Sequence, residues 1–168
     1  MKQVNNHKVN KVGREIAYNL LKRIRHIKIA RGQYVDYFCD KEKSYPIFYW
    51  TKTYQTRKIN GETYSVTGKS MDRMVEISKL AFKQGDVYLV WIDALLGKII
   101  GGRYSELLKK QEDRGNMFPI LIATHKGGVL YFNIEKVDVL AEIPANDLQT
   151  LQELIAENRT PKGQLSLL

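Results

Sequence analysis

The sequence predicts an α/β protein in which a mixed β-sheet is flanked by helices. Three observations lead there. The run VYLVWID at 87–93 is almost wholly apolar, the pattern of a strand covered on both faces. The segments 11–30 and 70–83 repeat apolar residues at a helical period, on either side of strand-like runs. The resulting order is helix, two or three strands, helix, strand, then further strands and helices, which is the order of a layered α/β architecture. With 168 residues, 43% of them hydrophobic, the chain suits one domain with a real core. That domain is expected over 1–157, followed by a flexible tail at 158–168.

The elements follow in order. In 11–30, Val12, Ile16, Ala17, Leu20, Ile24 and Ile27 share one helical face, with Lys11, Arg14, Lys22 and Arg25 opposite and Gly32 as a stop. Residues 33–39 read as a strand, DKEKSYP as a polar turn, and 46–54 as a second strand dense in aromatic and β-branched residues. Asn60-Gly61 predicts a hairpin pairing 52–58 with 62–67. Met71, Met74, Val75, Ile77, Ser78 and Leu80 to Phe82 mark the next helix, ended by Gly85-Asp86. After the strand at 87–93, Leu96-Gly97-Lys98 turns the chain into IIGG. A short helix at 104–112 and strands at 118–124 and 129–134 follow, and Asn146 caps a helix running to about Ala156.

Charge narrows the function. The chain carries a net +9, unevenly placed: residues 1–60 hold 14 Lys and Arg against four acids, a net +10, and the remainder sums to −1. Such asymmetry points to a polyanion, of which nucleic acid is the commonest, with a solvated basic surface as the plainer account. Cys39 is the only cysteine, which excludes a disulfide scaffold and a multi-cysteine zinc site. No apolar run approaches membrane-spanning length, and the polar N-terminus lacks a secretory core, so a cytoplasmic protein is expected.

Candidate chemistry reduces to one constellation. TGKS at 67–70 lacks the glycine that a phosphate loop needs at position 63, which is Thr63, and reads as a turn opening a helix. His7, His26 and His125 form no metal-ligand spacing, and no GxSxG elbow occurs. Asp36 within YVDYF and Lys52 within IFYWTKTY are both out of place among apolar neighbours. Adjacent strands would bring them together, with Glu15 approaching from the first helix. A metal-bound carboxylate beside a lysine activates water and stabilises a developing phosphorane. A cross-strand ion pair without catalytic role is the competing account.

VDYF, followed about ten residues later by IFYWTKTYQ and then by the span to VYLVWID, resembles the PD-(D/E)xK nuclease superfamily over roughly residues 11–93. The resemblance implies a restriction-endonuclease-like core and a Mg²⁺-dependent endonuclease hydrolysing phosphodiester bonds. Asp36 and Glu15 would then hold the metal, and Lys52 would orient water or steady the transition state. One departure matters: position 50, where the acid of the acid-x-Lys motif belongs, is Trp50. Three readings stay open. The ligand has migrated, to Glu15, Asp40 or Gln55; or the chain is a degenerate nuclease kept for nucleic-acid binding; or the alignment is displaced.

Eight of the 17 aromatic residues fall in 34–54, interleaved with Lys41, Lys43, Lys52, Arg57 and Lys58, a pattern that either stacks on bases or fills a sheet. Lys22, Arg25, Arg57 and Lys58 are the expected phosphate contacts. At the C-terminus, Gln164-Leu165-Ser166-Leu167-Leu168 resembles the bacterial sliding-clamp-binding pentapeptide. That resemblance implies that Gln164, Leu165, Leu167 and Leu168 engage a clamp, and the competing account is a tail packed on its own domain. The expected partners are therefore nucleic acid, DNA foremost, a sliding clamp and a second copy of the chain, with no membrane. A clamp-associated adaptor and a regulatory protein whose basic surface meets an acidic protein are the alternatives to the endonuclease.

Overall fold

The computed structural model describes residues 6–52, 57–59, 62–64, 66–112, 120–122, 129–133 and 137–159. Its first helix, α1 (Asn6–Leu21), is followed by β1 (Ile29–Ala30), β2 (Asp36–Asp40) and β3 (Lys43–Lys52). Next come β4 (Arg57–Ile59), β5 (Glu62–Tyr64), β6 (Val66–Ser70) and α2 (Met71–Gln84). The chain continues through β7 (Tyr88–Asp93), β8 (Lys98–Arg103), α3 (Tyr104–Glu112), β9 (Ile120–Ile122), β10 (Val129–Asn133), β11 (Asp138–Glu142) and α4 (Ala145–Arg159).

The main sheet has six strands in the order β1-β2-β3-β7-β8-β11. All neighbours are antiparallel except β3 and β7, which run parallel, so the sheet is mixed as expected. β7 is buried along its whole length. Its alternate side chains feed two cores. Tyr88, Val90 and Ile92 pack with α1 and α4, and Leu89 and Trp91 pack with α2, α3 and Phe132 of the separate β6-β10-β9 sheet. A continuous apolar run is what a two-faced strand requires. Among the described residues no helix is long and apolar enough to cross a membrane.

The predicted helical stripe on the first helix is observed: Ile16, Ala17 and Ile27 are buried, and Val12, Leu20 and Ile24 pack against them. The helix itself ends at Leu21, not near 30. Residues 22–27 turn through short backbone bonds such as Arg23 N–H to Leu20 O and Ile27 N–H to Ile24 O. This reversal lets Ile29 and Ala30 pair with Phe38 and Tyr37. Sheet pairing here outweighs a periodicity that both conformations satisfy. On α2, Met74 and Ile77 are buried, whereas Val75 and Phe82 face solvent, so the inner stripe is narrower than expected. Gly85, at φ +92°, ends α2 in the left-handed region that glycine adopts without strain.

Of the hairpin expected between 52–58 and 62–67, the part at β4 and β5 is observed, Lys58 opposite Thr63, whereas Lys52 ends β3 and Val66 and Thr67 open β6, which pairs with β10; residues 60 and 61 lie outside the described residues. β11 was not legible in the sequence. It pairs with β8 through a register shift between Val139 and Ala141, which breaks the two-residue alternation that marks a strand.

Candidate nucleic-acid interface

The register of β2 against β3 decides the fate of the expected catalytic group. Asp36 does not sit mid-strand but opens β2, opposite Ile47. Directly opposed residues of an antiparallel pair share a face, so Asp36 lies on the face of Ile47 and Tyr49, under α1. Lys52 lies on the other face with Phe48 and Trp50, because successive side chains alternate. The expected convergence of Asp36 and Lys52 therefore does not occur: the sheet itself separates them.

Each has its own partner. Lys52 Nζ donates to Asp93 Oδ2 at 3.4 Å, strand to strand across the parallel β3–β7 pair, and both side chains are almost wholly buried. Burial lowers the Lys52 pKa from its ordinary value, and Asp93 opposes that shift. The other Asp93 oxygen accepts the N–H groups of Leu95 and Leu96, closing the turn after β7. Trp50, in the position expected for the motif acid, stacks on Phe48 at 6.1 Å and tilts against Trp91 at 5.7 Å, as part of the core.

Asp36 is fully buried. Arg14 grips it in a fork, Nη2 to Oδ1 at 2.6 Å and Nε to Oδ2 at 3.3 Å, and the Tyr49 hydroxyl donates to Oδ2 at 2.9 Å. Burial, reinforced by the Asp36 charge, pushes the Tyr49 hydroxyl pKa well up and keeps it a donor. Glu15 does stand near, on α1, but Arg31 comes between: it makes a two-pronged bond to Glu15 and lies 3.9 Å from Asp36. The bond from Arg31 holds the Glu15 carboxyl below its ordinary pKa. The cation that these two carboxylates share is thus a guanidinium. Their lone pairs are taken up by Arg14, Arg31 and Tyr49, so this donor set does not fit a Mg²⁺ held by Asp36 and Glu15. Among the described residues no group of three His, Cys, Asp or Glu is placed to hold a metal.

What this cluster builds is a wall of a cleft. β2 pairs with β3 only as far as Ile47, and among the described residues no strand covers 48–52 on that side. α1 lies there instead. The Thr51 N–H donates to Asn10 Oδ1 at 2.8 Å. A β-carbon added at Gly13 would meet Thr51 Oγ1 at 2.1 Å, so any larger residue there requires the Thr51 hydroxyl to turn away or the helix to shift. Beside the crossing opens a cleft of about 590 Å³. Lys11, Arg14, Arg73 and His7 contribute its positive and titratable groups; no carboxylate is among its lining residues, but Arg14 pairs with Asp36 and Arg73 with Glu76 at 2.8 Å. Tyr34, Phe48 and Tyr49 are also among its lining residues. The Arg73 guanidinium lies 5.0 Å over the Phe48 ring. A second cleft of about 510 Å³, between α1 and α4, sets Lys8 and Lys11 against Glu15 and Asp147 and offers an anion no comparable field.

The other expected contacts are placed elsewhere. Lys22 and Arg25 are exposed in the turn after α1, with Lys22 over the Tyr18 ring. The helix end at Leu21, just before them, stands roughly 15 Å along the axis from Lys11, at about 1.5 Å per residue. Arg57 and Lys58 lie on β4, their side chains outside the described residues, as are Gln55 and the whole of 164–168. Asp40 pairs with Arg103 at 2.6 Å. Lys11 and Arg14 were visible on the polar face of the first helix. Arg73 carried no signal, because only the fold brings α2 to the same cleft. No protein-family model, curated protein or solved structure matches the chain.

Proposed function

We propose that this chain is a nucleic-acid-binding module, a degenerate relative of the restriction-endonuclease-like nucleases, that grips phosphates at the cleft between α1, the turn before β2 and α2. The observation that carries this reading is the cleft lining: Lys11 stands with Arg14 and Arg73, which also pair with Asp36 and Glu76, among aromatic residues, and no carboxylate is itself a lining residue. The +10 of the first third supplies the long-range field, since Lys and Arg that neutralise phosphates release counterions and dominate such binding. What supports the restriction-endonuclease-like core is the element order α1, β1, β2, β3, then α2 and β7 after the intervening β4, β5 and β6. A cytoplasmic setting and a sliding-clamp contact through Gln164, Leu165, Leu167 and Leu168 belong to the same proposal. So does the absence of hydrolysis at Asp36, whose carboxylate serves to hold Arg14.

The test is equilibrium binding of labelled DNA across a salt series. Lys11→Ala with Arg73→Ala should weaken binding and flatten the slope of log K against log salt by roughly 2, since each phosphate contact contributes about 0.9. An unchanged slope would remove the cleft from the interface. Chelator-sensitive cleavage by the wild-type chain, lost in Lys52→Met, would replace the module with an endonuclease.

A further inference from the structure

Resting on that reading, we propose that the cleft receives an unpaired nucleic-acid strand: one base stacks on Tyr34 while neighbouring phosphates sit on Lys11 and Arg73.

Tyr34 is the observation that separates this from plain phosphate binding. Its side chain is 82% exposed, a large ring left in water at the cleft mouth. It does not sit on a loose loop. A β-carbon at Gly32 would meet the Val35 carbonyl oxygen at 2.0 Å, so the turn is closed as tightly as a glycine permits. Arg14 Nη2 donates to the Gly32 oxygen at 3.2 Å, and Arg31, one residue earlier, is tied to Glu15. The buried Asp36 holds Arg14 in turn. The network that takes up the expected metal ligands thus braces the backbone of the turn that presents Tyr34, and fixes where its exposed ring is offered to a base.

The floor is equally suited to a base. Ile47 and Tyr49 line it from the α1 side of the sheet and Phe48 from the other, where the Arg73 guanidinium lies over the Phe48 ring as a flat cation. A duplex keeps its base faces stacked inside and would present only phosphates to such a cleft. Aromatic platforms beside a cationic groove are how single strands are held without sequence preference.

The experiment compares a fluorescein-labelled thymidine dodecamer with a duplex of equal length by anisotropy, on the full chain. The single strand should bind more tightly. Tyr34→Ala should weaken single-strand binding about ten-fold and leave duplex binding within two-fold. Tyr34→Phe should restore the single-strand affinity, because the ring and not the hydroxyl does the stacking. Lys11→Ala with Arg73→Ala should weaken both ligands. A preference for duplex, or a Tyr34→Ala effect equal on both ligands or absent on both, overturns the strand assignment while leaving phosphate binding standing. If neither ligand binds in a salt-dependent way, the nucleic-acid reading itself fails.

Discussion

Replacing Asp36 with alanine tests whether this carboxylate is structural. The side chain is fully buried and accepts three hydrogen bonds, two from Arg14 and one from Tyr49. Removing it leaves a guanidinium and a hydroxyl facing an empty space. Breaking a buried charge pair costs about 3–5 kcal/mol when the survivor stays buried. Arg14 is 21% exposed and can turn partly to water, which places the cost near the lower end, about 3 kcal/mol. For a chain of this size a loss of 1 kcal/mol shifts the melting temperature by about 2–4 °C, so Asp36→Ala should melt roughly 6–12 °C lower. Asp36→Asn keeps the shape and one acceptor and should lose less. Pairing each with Arg14→Gln closes a double-mutant cycle, which should give a coupling of at least ~1 kcal/mol between the two residues. A metal ligand would behave in the opposite way: its loss abolishes cleavage and leaves stability level or improved. A melting temperature within 2 °C of wild type for Asp36→Ala would refute the structural assignment.

Other outcomes follow from the same geometry. Gly13→Val should push α1 off β3 and cost about 1–3 kcal/mol by overpacking, and Thr51→Ala should recover part of it; a wild-type melt for Gly13→Val would contradict the contact. Burial pushes the Tyr88 hydroxyl pKa up to about 12 from its ordinary 10.0. The folded chain therefore keeps a proton that the unfolded chain sheds in that window, and stability falls as pH rises through it. Urea unfolding at about pH 9 and about pH 11.5 should show a smaller loss for Tyr88→Phe than for wild type. A peptide of the last nine residues should bind a bacterial sliding clamp at about micromolar affinity, weakened by Gln164→Ala and by Leu167→Ala. A destabilised chain on removing 164–168, with no clamp affinity, would assign the leucines to the protein's own core.

How much of this was legible depends on whether the signal is local. The apolar stripe of α1, the two-faced strand β7, the Gly85 stop and the hairpin at β4 and β5 could all be read, because burial periodicity and turn chemistry act over a few neighbouring residues. The C-terminal end of α1 is not legible in the sequence, because Ile24 and Ile27 satisfy a helical stripe and still pack in the core when the chain turns. β11 was missed because its bulge hides the alternation.

By itself the sequence determined that Asp36 and Lys52 are anomalous charges requiring partners, that the first third is strongly cationic, and that a mixed sheet lies between helices. Which partners they take was a matter of register. One residue of pairing decides which face a side chain occupies, and the register that sets Asp36 against Ile47 turns it toward Arg14 and away from Lys52. Lys52 meets Asp93 only because β3 and β7 run parallel and in step, 41 residues apart in the chain. The cleft has the same origin: Lys11, Tyr34 and Arg73 come from three elements that share no local signal. Local free energies write the elements into the sequence, whereas pairing between distant strands, which places the charges, is settled only when the whole sheet closes.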